Sequence, residues 1–153
     1  MRELDVLGVR VEMPTKQPLV LLRESEGARY LPIWIGAVEA SAIAFAQQDE
    51  ATPRPLTHVL MQRVVEALGD ELTEIHIVDV DDGVFFATLV FASGATADAR
   101  PSDAIALALR CGARILCTED VLDEAGIAST REEDEQVERF RTFLDHVEPE
   151  DFA

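Results

Sequence analysis

The first third of the chain alternates between apolar and polar residues. Residues 3–12 (ELDVLGVRVE) largely follow this period of two, and parts of 18–24 and 29–35 repeat it. Successive side chains of a strand point to opposite faces, so this period indicates strands that bury one face. Prolines and glycines between the three stretches supply turns. We therefore predict a series of strands joined by turns.

After Gly36 the apolar residues recur at helical spacing. The segment AVEASAIAFAQQ is rich in alanine and predicts a helix from about residue 37 to 48. The prolines of ATPRPL end it, because proline lacks a backbone N–H and disfavours helical geometry in the residue before it. A second helix, THVLMQRVVEAL, is predicted to begin with Thr57 as its N-cap and to end at Gly69.

The middle of the chain predicts an antiparallel meander. The segments ELTEIHIVDV and GVFFATLVFA flank Asp81-Asp82-Gly83, and Asp-Gly is a strong hairpin signal because both residues tolerate positive φ. A second turn at Ser93-Gly94 leads to the short segment ATADA. Three consecutive antiparallel strands are expected here.

Two more helices are predicted downstream of the meander. Ser102 is the expected cap of the helix DAIALALR, which Gly112 ends. After the short strand ARILC, Thr118 is expected to cap TEDVLDEA, which Gly126 ends. Strands followed by interspersed helices and a meander predict an α+β fold with a mixed, largely antiparallel sheet and packed helices.

The domain boundaries follow from the polarity of the C-terminal segment. With 153 residues and 48% hydrophobic content, the chain can bury one core, which we place in residues 1–127. Residues 128–136 (ASTREEDEQ) are polar and predict an acidic linker. Residues 137–153 predict a final helix and tail, with Val137, Phe140, Phe143 and Leu144 on one apolar face.

The net charge narrows the range of partners. The chain carries a formal charge of −17. Basic surfaces supply most non-specific affinity for nucleic acids, so this charge argues against a general nucleic-acid coat. Any nucleic-acid site must therefore be local.

The cysteines and the hydropathy of the chain argue against a CxxC redox protein, a zinc knuckle and a membrane-spanning protein. Cys111 and Cys117 fit neither a CxxC redox pair nor a zinc knuckle and are expected to be small buried hydrophobes. No apolar run approaches the roughly 20 residues that span a bilayer. A cytoplasmic protein without a membrane partner is predicted.

Two segments place polar residues at predicted helix starts. In YLPIWIGAVEASAI, Glu39 can serve as a metal ligand or general base, or can simply complement the helix dipole. In TPRPLTHVL, Arg54 and Thr57 lie where helix N–H groups can bind phosphate, and His58 can act as general acid or base. The alternative for this loop is a threonine cap beside an exposed histidine.

A third segment, DARPSDAIALALR, concentrates polar groups at a strand-to-helix junction. Asp98 and Asp103 flank Arg100-Pro101-Ser102, which can bring carboxylates, a guanidinium and a hydroxyl together. Such a group can hold a divalent cation through oxygen ligands and orient a phosphate. The alternative is a Ser102 cap with an arginine–aspartate pair that fixes the turn.

These segments carry a family resemblance. In order and spacing, RYLPIWIGAVEASAIAFAQQ, RPLTHVLMQRVVEALG and ARPSDAIALALRCGARILCTEDVL resemble the bifunctional nuclease domain over about residues 1–127, and VERFRTFLDHVEPEDF resembles the tail of many bacterial members. The resemblance implies a compact α+β domain, a homo-oligomer, and the DNase and RNase activity attributed to some members. It brings no assigned catalytic residue. The positions that match the family motifs are Glu39, His58, Arg100, Ser102 and Asp103.

The first functional hypothesis is a phosphodiesterase assisted by a divalent metal, Mg²⁺ or Mn²⁺. The predicted catalytic residues are His58, Asp103 and Glu39. The predicted metal ligands are Asp103, Glu39 and Asp98. The predicted phosphate-binding residues are Arg54, Thr57, Arg100 and Ser102.

Two alternatives remain open at this point. One is a non-catalytic regulatory or ligand-binding homo-oligomer, in which the same residues are caps and ion pairs. The other binds a small phosphate or carboxylate at the loop near Thr57. Convergence of the three segments on one pocket would favour chemistry. A two-fold homodimer is expected to use apolar strand residues, namely Leu31, Ile33, Trp34 and Ile35.

Overall fold

The strands form one mixed sheet in the computed structural model, which describes residues 1–12, 15–48 and 52–128. The order across the sheet is β6-β5-β4-β7-β1-β2-β3-β8. Only β4 and β7 pair in parallel among the described strands. The bounds are β1 (Arg2–Glu12), β2 (Gln17–Glu24), β3 (Arg29–Trp34), β4 (Leu72–Asp81), β5 (Val84–Phe91), β6 (Thr96–Ala99), β7 (Arg114–Cys117) and β8 (Ile127–Ala128).

Four helices lie between the strands within these ranges. They are α1 (Ala37–Gln48), α2 (Thr57–Ala67), α3 (Pro101–Cys111) and α4 (Glu119–Ala125). Helix α3 packs against both α1 and α2 and covers β4 and β5. Its residues from Ala104 to Ala108 are buried in the core. The predicted α+β fold with a mixed, largely antiparallel sheet is confirmed.

The predicted meander is present as β4, β5 and β6. The hairpin between β4 and β5 has a two-residue loop in which Asp82 and Gly83 have φ of 50° and 78°. Positive φ at both positions gives the turn whose twist matches that of the strands. The Asp-Gly signal therefore identified the turn correctly.

Two predicted helix caps are wrong, and one is right. Leu56 precedes α2 without a side-chain cap, and Thr57 is already the first helical residue. Arg100 precedes α3, and Ser102 is buried in the first turn. Proline suits the first helical position, where no N–H is needed, so α3 begins at Pro101 instead of after Ser102. Thr118 does cap α4, accepting a hydrogen bond from the Val121 N–H at 3.3 Å.

The apolar surface of β3 is smaller than the sequence suggested. Leu31 and Ile33 are buried in the core of this chain. They cannot form a dimer surface. Trp34 at the end of β3 is 51% exposed. The larger exposed apolar set lies on α2, none of whose residues is buried.

Both cysteines are free thiols. Cys117 is buried, as predicted, while Cys111 is partly buried. Burial raises the pKa of the Cys117 thiol to about 12. A thiol this protonated at neutral pH is not a nucleophile.

The predicted final helix, and the predicted linker after its first residue Ala128, lie outside the residues that the structure describes. The short strand β8, which was not predicted, pairs with the beginning of β3 and ends the described part of the chain. None of the helices in the described ranges is long and apolar enough to cross a membrane.

Candidate active site

The first turns of three helices meet at one place. Glu39 is the third residue of α1, His58 the second of α2 and Asp103 the third of α3. Arg100 lies directly before α3. The side chains of these first turns lie near the positive ends of their helix dipoles, which favours negative charge on them. The three segments singled out in the sequence converge.

A continuous chain of polar contacts joins these side chains. Arg100 donates from Nε to Asp103 Oδ2 and from Nη1 to Glu39 Oε1, each at 3.0 Å. The other oxygen of Asp103, Oδ1, lies 3.2 Å from His58 Nε2. We call Glu39, His58, Arg100 and Asp103 the helix-start cluster.

The electrostatics of the cluster keep Asp103 ionised. Burial opposes the charged carboxylate, but the hydrogen bonds and charges of Arg100 and His58 outweigh it, and the pKa of Asp103 lies below its usual value. Asp103 and Glu39 in turn raise the pKa of the Arg100 guanidinium. At neutral pH Asp103 is therefore a carboxylate that can accept an N–H from the imidazole.

Gly36 makes room for the Glu39 side chain. A Cβ at this position would overlap with Glu39 Oε2. The carbonyl oxygen of Gly36 also accepts the first hydrogen bond of α1, from Ala40 N at 2.9 Å. Sequence reasoning treated Gly36 only as the boundary of the helix and missed this close approach.

A cleft of about 320 Å³ opens beside the cluster. Its apolar wall consists of Ile33, Trp34, Ile35, Val84 and Phe85. Its polar groups are Gln17, Glu39, Arg100 and Ser102. Gln17, Val84 and Phe85 were not predicted. They reach the cleft because strands distant in sequence meet there, and no local pattern signals such proximity.

Four predicted site residues take no part in the contacts of the cluster. Asp98 is exposed on β6 at the edge of the sheet. Arg54 is exposed in the loop before α2, and Thr57 is exposed on the first turn of that helix. Ser102 lines the cleft but is 8% exposed.

The carboxylates do not form a ready metal site. Across residues 1–12, 15–48 and 52–128, no three His, Cys, Asp or Glu side chains are grouped as metal ligands. Glu39 and Asp103 both bind the guanidinium of Arg100, which occupies the position that a cation would need. The donor set fits a divalent ion poorly, because its charges are already paired.

A second histidine–carboxylate pair provides a comparison. His76 Nε2 lies 3.3 Å from Glu74 Oε1, and Arg114 bridges Glu74 and Glu3 at 3.2 Å each. Glu74 and Arg114 are direct partners of the β4–β7 ladder. Opposite charges on neighbouring strands commonly pair this way. The pair is therefore adequately explained as a contact on the sheet surface, away from the cleft that adjoins the helix-start cluster.

A buried ion pair was also missed by sequence reasoning. Glu24, 3% exposed, accepts hydrogen bonds from Arg29 Nε at 2.7 Å and Arg2 Nε at 2.8 Å. Arg29 also binds Glu119 and Asp123 of α4. The available signal was the period of two, which puts Glu24 in phase with buried apolar residues of β2. This network fastens β1, β2, β3 and α4 together.

Comparison with known proteins gives a consistent family match. Residues 20–130 match the family model of the bifunctional nuclease domain. Two uncharacterised proteins of Mycobacterium tuberculosis, from strains CDC 1551 and H37Rv, are each 48% identical over 161 aligned positions. The alignments cover 99% of this chain and 98% of each relative.

Proposed function

This chain belongs to the bifunctional nuclease domain family, and we propose that it hydrolyses phosphodiester bonds of DNA and RNA at the helix-start cluster. The observation that carries the proposal is the contact between His58 and Asp103, 3.2 Å, at the meeting point of three helix N-termini. An oriented imidazole near positive helix ends suits a reaction at a phosphate group.

His58 is the proposed proton carrier. Asp103 accepts the Nε2–H of the imidazole, which leaves the unprotonated Nδ1 to take a proton from the attacking water. The oxygen of this water forms a new bond to phosphorus as the bond to the leaving oxygen breaks. The imidazolium then returns its proton to the leaving oxygen. Asp103 stabilises the imidazolium while it exists.

Arg100 is the proposed phosphate-binding residue. Its bonds to Asp103 and Glu39 need two of the five N–H donors of a guanidinium. The side chain is 64% exposed and lines the cleft, so a phosphate can approach it. Glu39 then acts by holding the guanidinium in place. The roles of Arg54, Thr57 and Ser102 in phosphate binding stay predictions.

The requirement for Mg²⁺ or Mn²⁺ also stays a prediction. The steps above use only His58, Asp103, Arg100 and a water molecule, and the Arg100 guanidinium lies between the two carboxylates that were expected to bind the metal. Addition of EDTA tests this part separately from the rest. A cytoplasmic location likewise stays a prediction.

A second candidate function, a regulatory or ligand-binding homodimer, is favoured by the exposed face of α2. Leu56, Leu60, Val64 and Leu68 recur every four residues and are each at least 48% exposed. In a two-fold dimer this stripe would pack against the same stripe of a second copy, removing apolar surface from water on both sides. Light scattering of the wild type and of Leu60→Gln/Val64→Thr tests it. A wild-type monomer at micromolar concentration would contradict the dimer.

The two candidates separate in a hydrolysis assay. We expect highly purified wild-type protein to cleave fluorogenic DNA and RNA oligonucleotides and His58→Gln to lose most of this activity. Both proteins are assayed with and without EDTA. Equal rates for wild type and His58→Gln would overturn the assigned role of His58, and absence of cleavage by the wild type would leave the non-catalytic homodimer as the supported function.

A further inference from the structure

The cleft beside the helix-start cluster has the composition of a subsite for an aromatic ring. Trp34 and Phe85 stand in its apolar wall, and Arg100 belongs to both the cleft and the cluster. We propose that this cleft binds an unpaired nucleobase against Trp34, so that single-stranded nucleic acid is the preferred substrate. The inference rests on the proposed function for the reaction, but base binding is measurable without it.

The exposure of Trp34 is the first argument. Its neighbours Leu31 and Ile33 are buried, whereas Trp34 is 51% exposed where the strand ends at the cleft. An indole at the wall of a cleft offers a flat apolar face that any base can stack on. A volume of about 320 Å³ is at the small end of ligand pockets and suits one fragment such as a base.

The distribution of charge is the second argument. Among the residues that line the cleft, the charged side chains are Glu39 and Arg100, which form an ion pair. The whole chain, in contrast, has a formal charge of −17. A rigid duplex would bring many phosphates to an acidic surface, at a large electrostatic cost. A single uncharged base that enters a cleft lined by one ion pair avoids most of that cost.

The position of Arg100 is the third argument. Because Arg100 lines the cleft and binds Asp103, a nucleotide whose base contacts Trp34 can place its phosphate beside the guanidinium. His58 reaches the same aspartate from the other side. Bases in a duplex are paired and stacked, so only an unpaired or extruded base can enter in this way.

Trp34 is itself the probe, since the chain contains one tryptophan. A short oligothymidylate should quench the fluorescence of Trp34 in a saturable manner, and the same strand in a duplex should bind more weakly. Trp34→Ala should weaken binding of a fluorescein-labelled oligothymidylate by about 5- to 150-fold, as loss of one base–aromatic stack does. Trp34→Phe should retain much of the affinity.

Phe86→Ala is the matched control. Phe86 is an exposed aromatic residue next to Phe85 in sequence that does not line the cleft, so its removal should leave the Kd unchanged. An equal loss in Phe86→Ala and Trp34→Ala, or absence of quenching, would overturn the base subsite. A fluorescence change that depends only on protein concentration would also overturn it, by assigning Trp34 to contact with a second copy.

The test separates this inference from the catalytic proposal. Quenching by oligothymidylate with no hydrolysis would support the subsite and contradict the proposed reaction. Hydrolysis that is equally fast on duplex and single strands, and unaffected in Trp34→Ala, would support the reaction and overturn the subsite. His58→Gln should lose hydrolysis while retaining the quenching of Trp34.

Discussion

Asp103 Oδ1 lies 3.2 Å from His58 Nε2, although the two residues are 45 positions apart in the chain. Packing of α2 against α3 produces this contact, and Arg100 fixes the other oxygen of the same carboxylate at 3.0 Å. An imidazole held by a carboxylate that is itself held by a guanidinium has few orientations available. A general base needs its imidazole to be oriented in this way before the substrate binds.

Asp103→Asn tests the role of the charge. The amide keeps the shape of the side chain but loses the charge that orients and stabilises the imidazolium, so kcat should fall about 10²-fold or more. The free energy of unfolding should fall by only about 0.3–1 kcal/mol, because Asp103 is partly exposed and its ion pair is screened. Asp98→Asn on β6 is the control, with the same chemical change outside the cluster. Equal activity of the two variants would contradict the assigned role.

Gly36→Ala tests whether Glu39 positions Arg100. The added methyl group would displace the Glu39 carboxylate and break its bond to Arg100. We expect roughly a tenfold loss of kcat/KM, about 1.4 kcal/mol. In a Glu39→Ala background the same substitution should have no further effect, since the displaced group is absent. Additive losses would show that Gly36 acts by another route.

Glu24→Gln tests the buried ion pair through pH. Hydrogen bonds from Arg29, opposed by burial and aided by Arg2, hold the pKa of Glu24 below its usual value. Its charge therefore stabilises the fold above about pH 4.3, the unfolded value, and this stabilisation is lost as pH falls through the lowered folded-state pKa. At neutral pH the free energy of unfolding of Glu24→Gln should be about 1.5–3 kcal/mol lower than that of the wild type.

The difference in the free energy of unfolding between wild type and Glu24→Gln should decrease on acidification, as measured by urea unfolding at a series of pH values. Glu26→Gln is the control, because the structure joins Glu26 to Arg2 through its backbone oxygen. A difference that stays constant with pH would mean that shape, not charge, accounts for the loss.

Removal of residues 129–153 tests the predicted division of the chain. The cut leaves β8 intact, so the described sheet retains all its strands. The shortened protein should give a cooperative thermal transition and the circular dichroism of an α+β fold. Failure to fold would show that the C-terminal segment belongs to the main core.

Local signals in the sequence were sufficient for most of the fold. The Asp82-Gly83 turn, the alanine-rich α1 and the Thr118 cap each follow from the residues that form them. The starts of helices were harder to predict. Both Pro101 and Ser102 are residues typical of a helix start, and α3 begins at the proline. The strand order could not be read from the sequence, since β7 inserts between β4 and β1 only in the folded sheet.

The residues of the candidate site could be predicted from the sequence, but the contacts between them could not. Glu39, His58, Arg100 and Asp103 were each recognised as polar residues near helix starts. That Arg100 would bridge two carboxylates expected to hold a metal depends on how α1 and α3 pack, and no sequence spacing encodes it. Gly36, Gln17 and Phe85 were missed for the same reason, because their roles exist only through tertiary contacts.

The most direct test of the proposed active site is the hydrolysis rate of four proteins prepared in parallel, namely wild type, His58→Ala, Asp103→Ala and the double variant. If the two residues act as a unit, the double variant should be no slower than the slower single variant. The pair His76→Ala/Glu74→Ala, which removes the histidine–carboxylate contact of the sheet surface, should retain the wild-type rate. Activity that survives removal of both His58 and Asp103 would contradict the proposed active site.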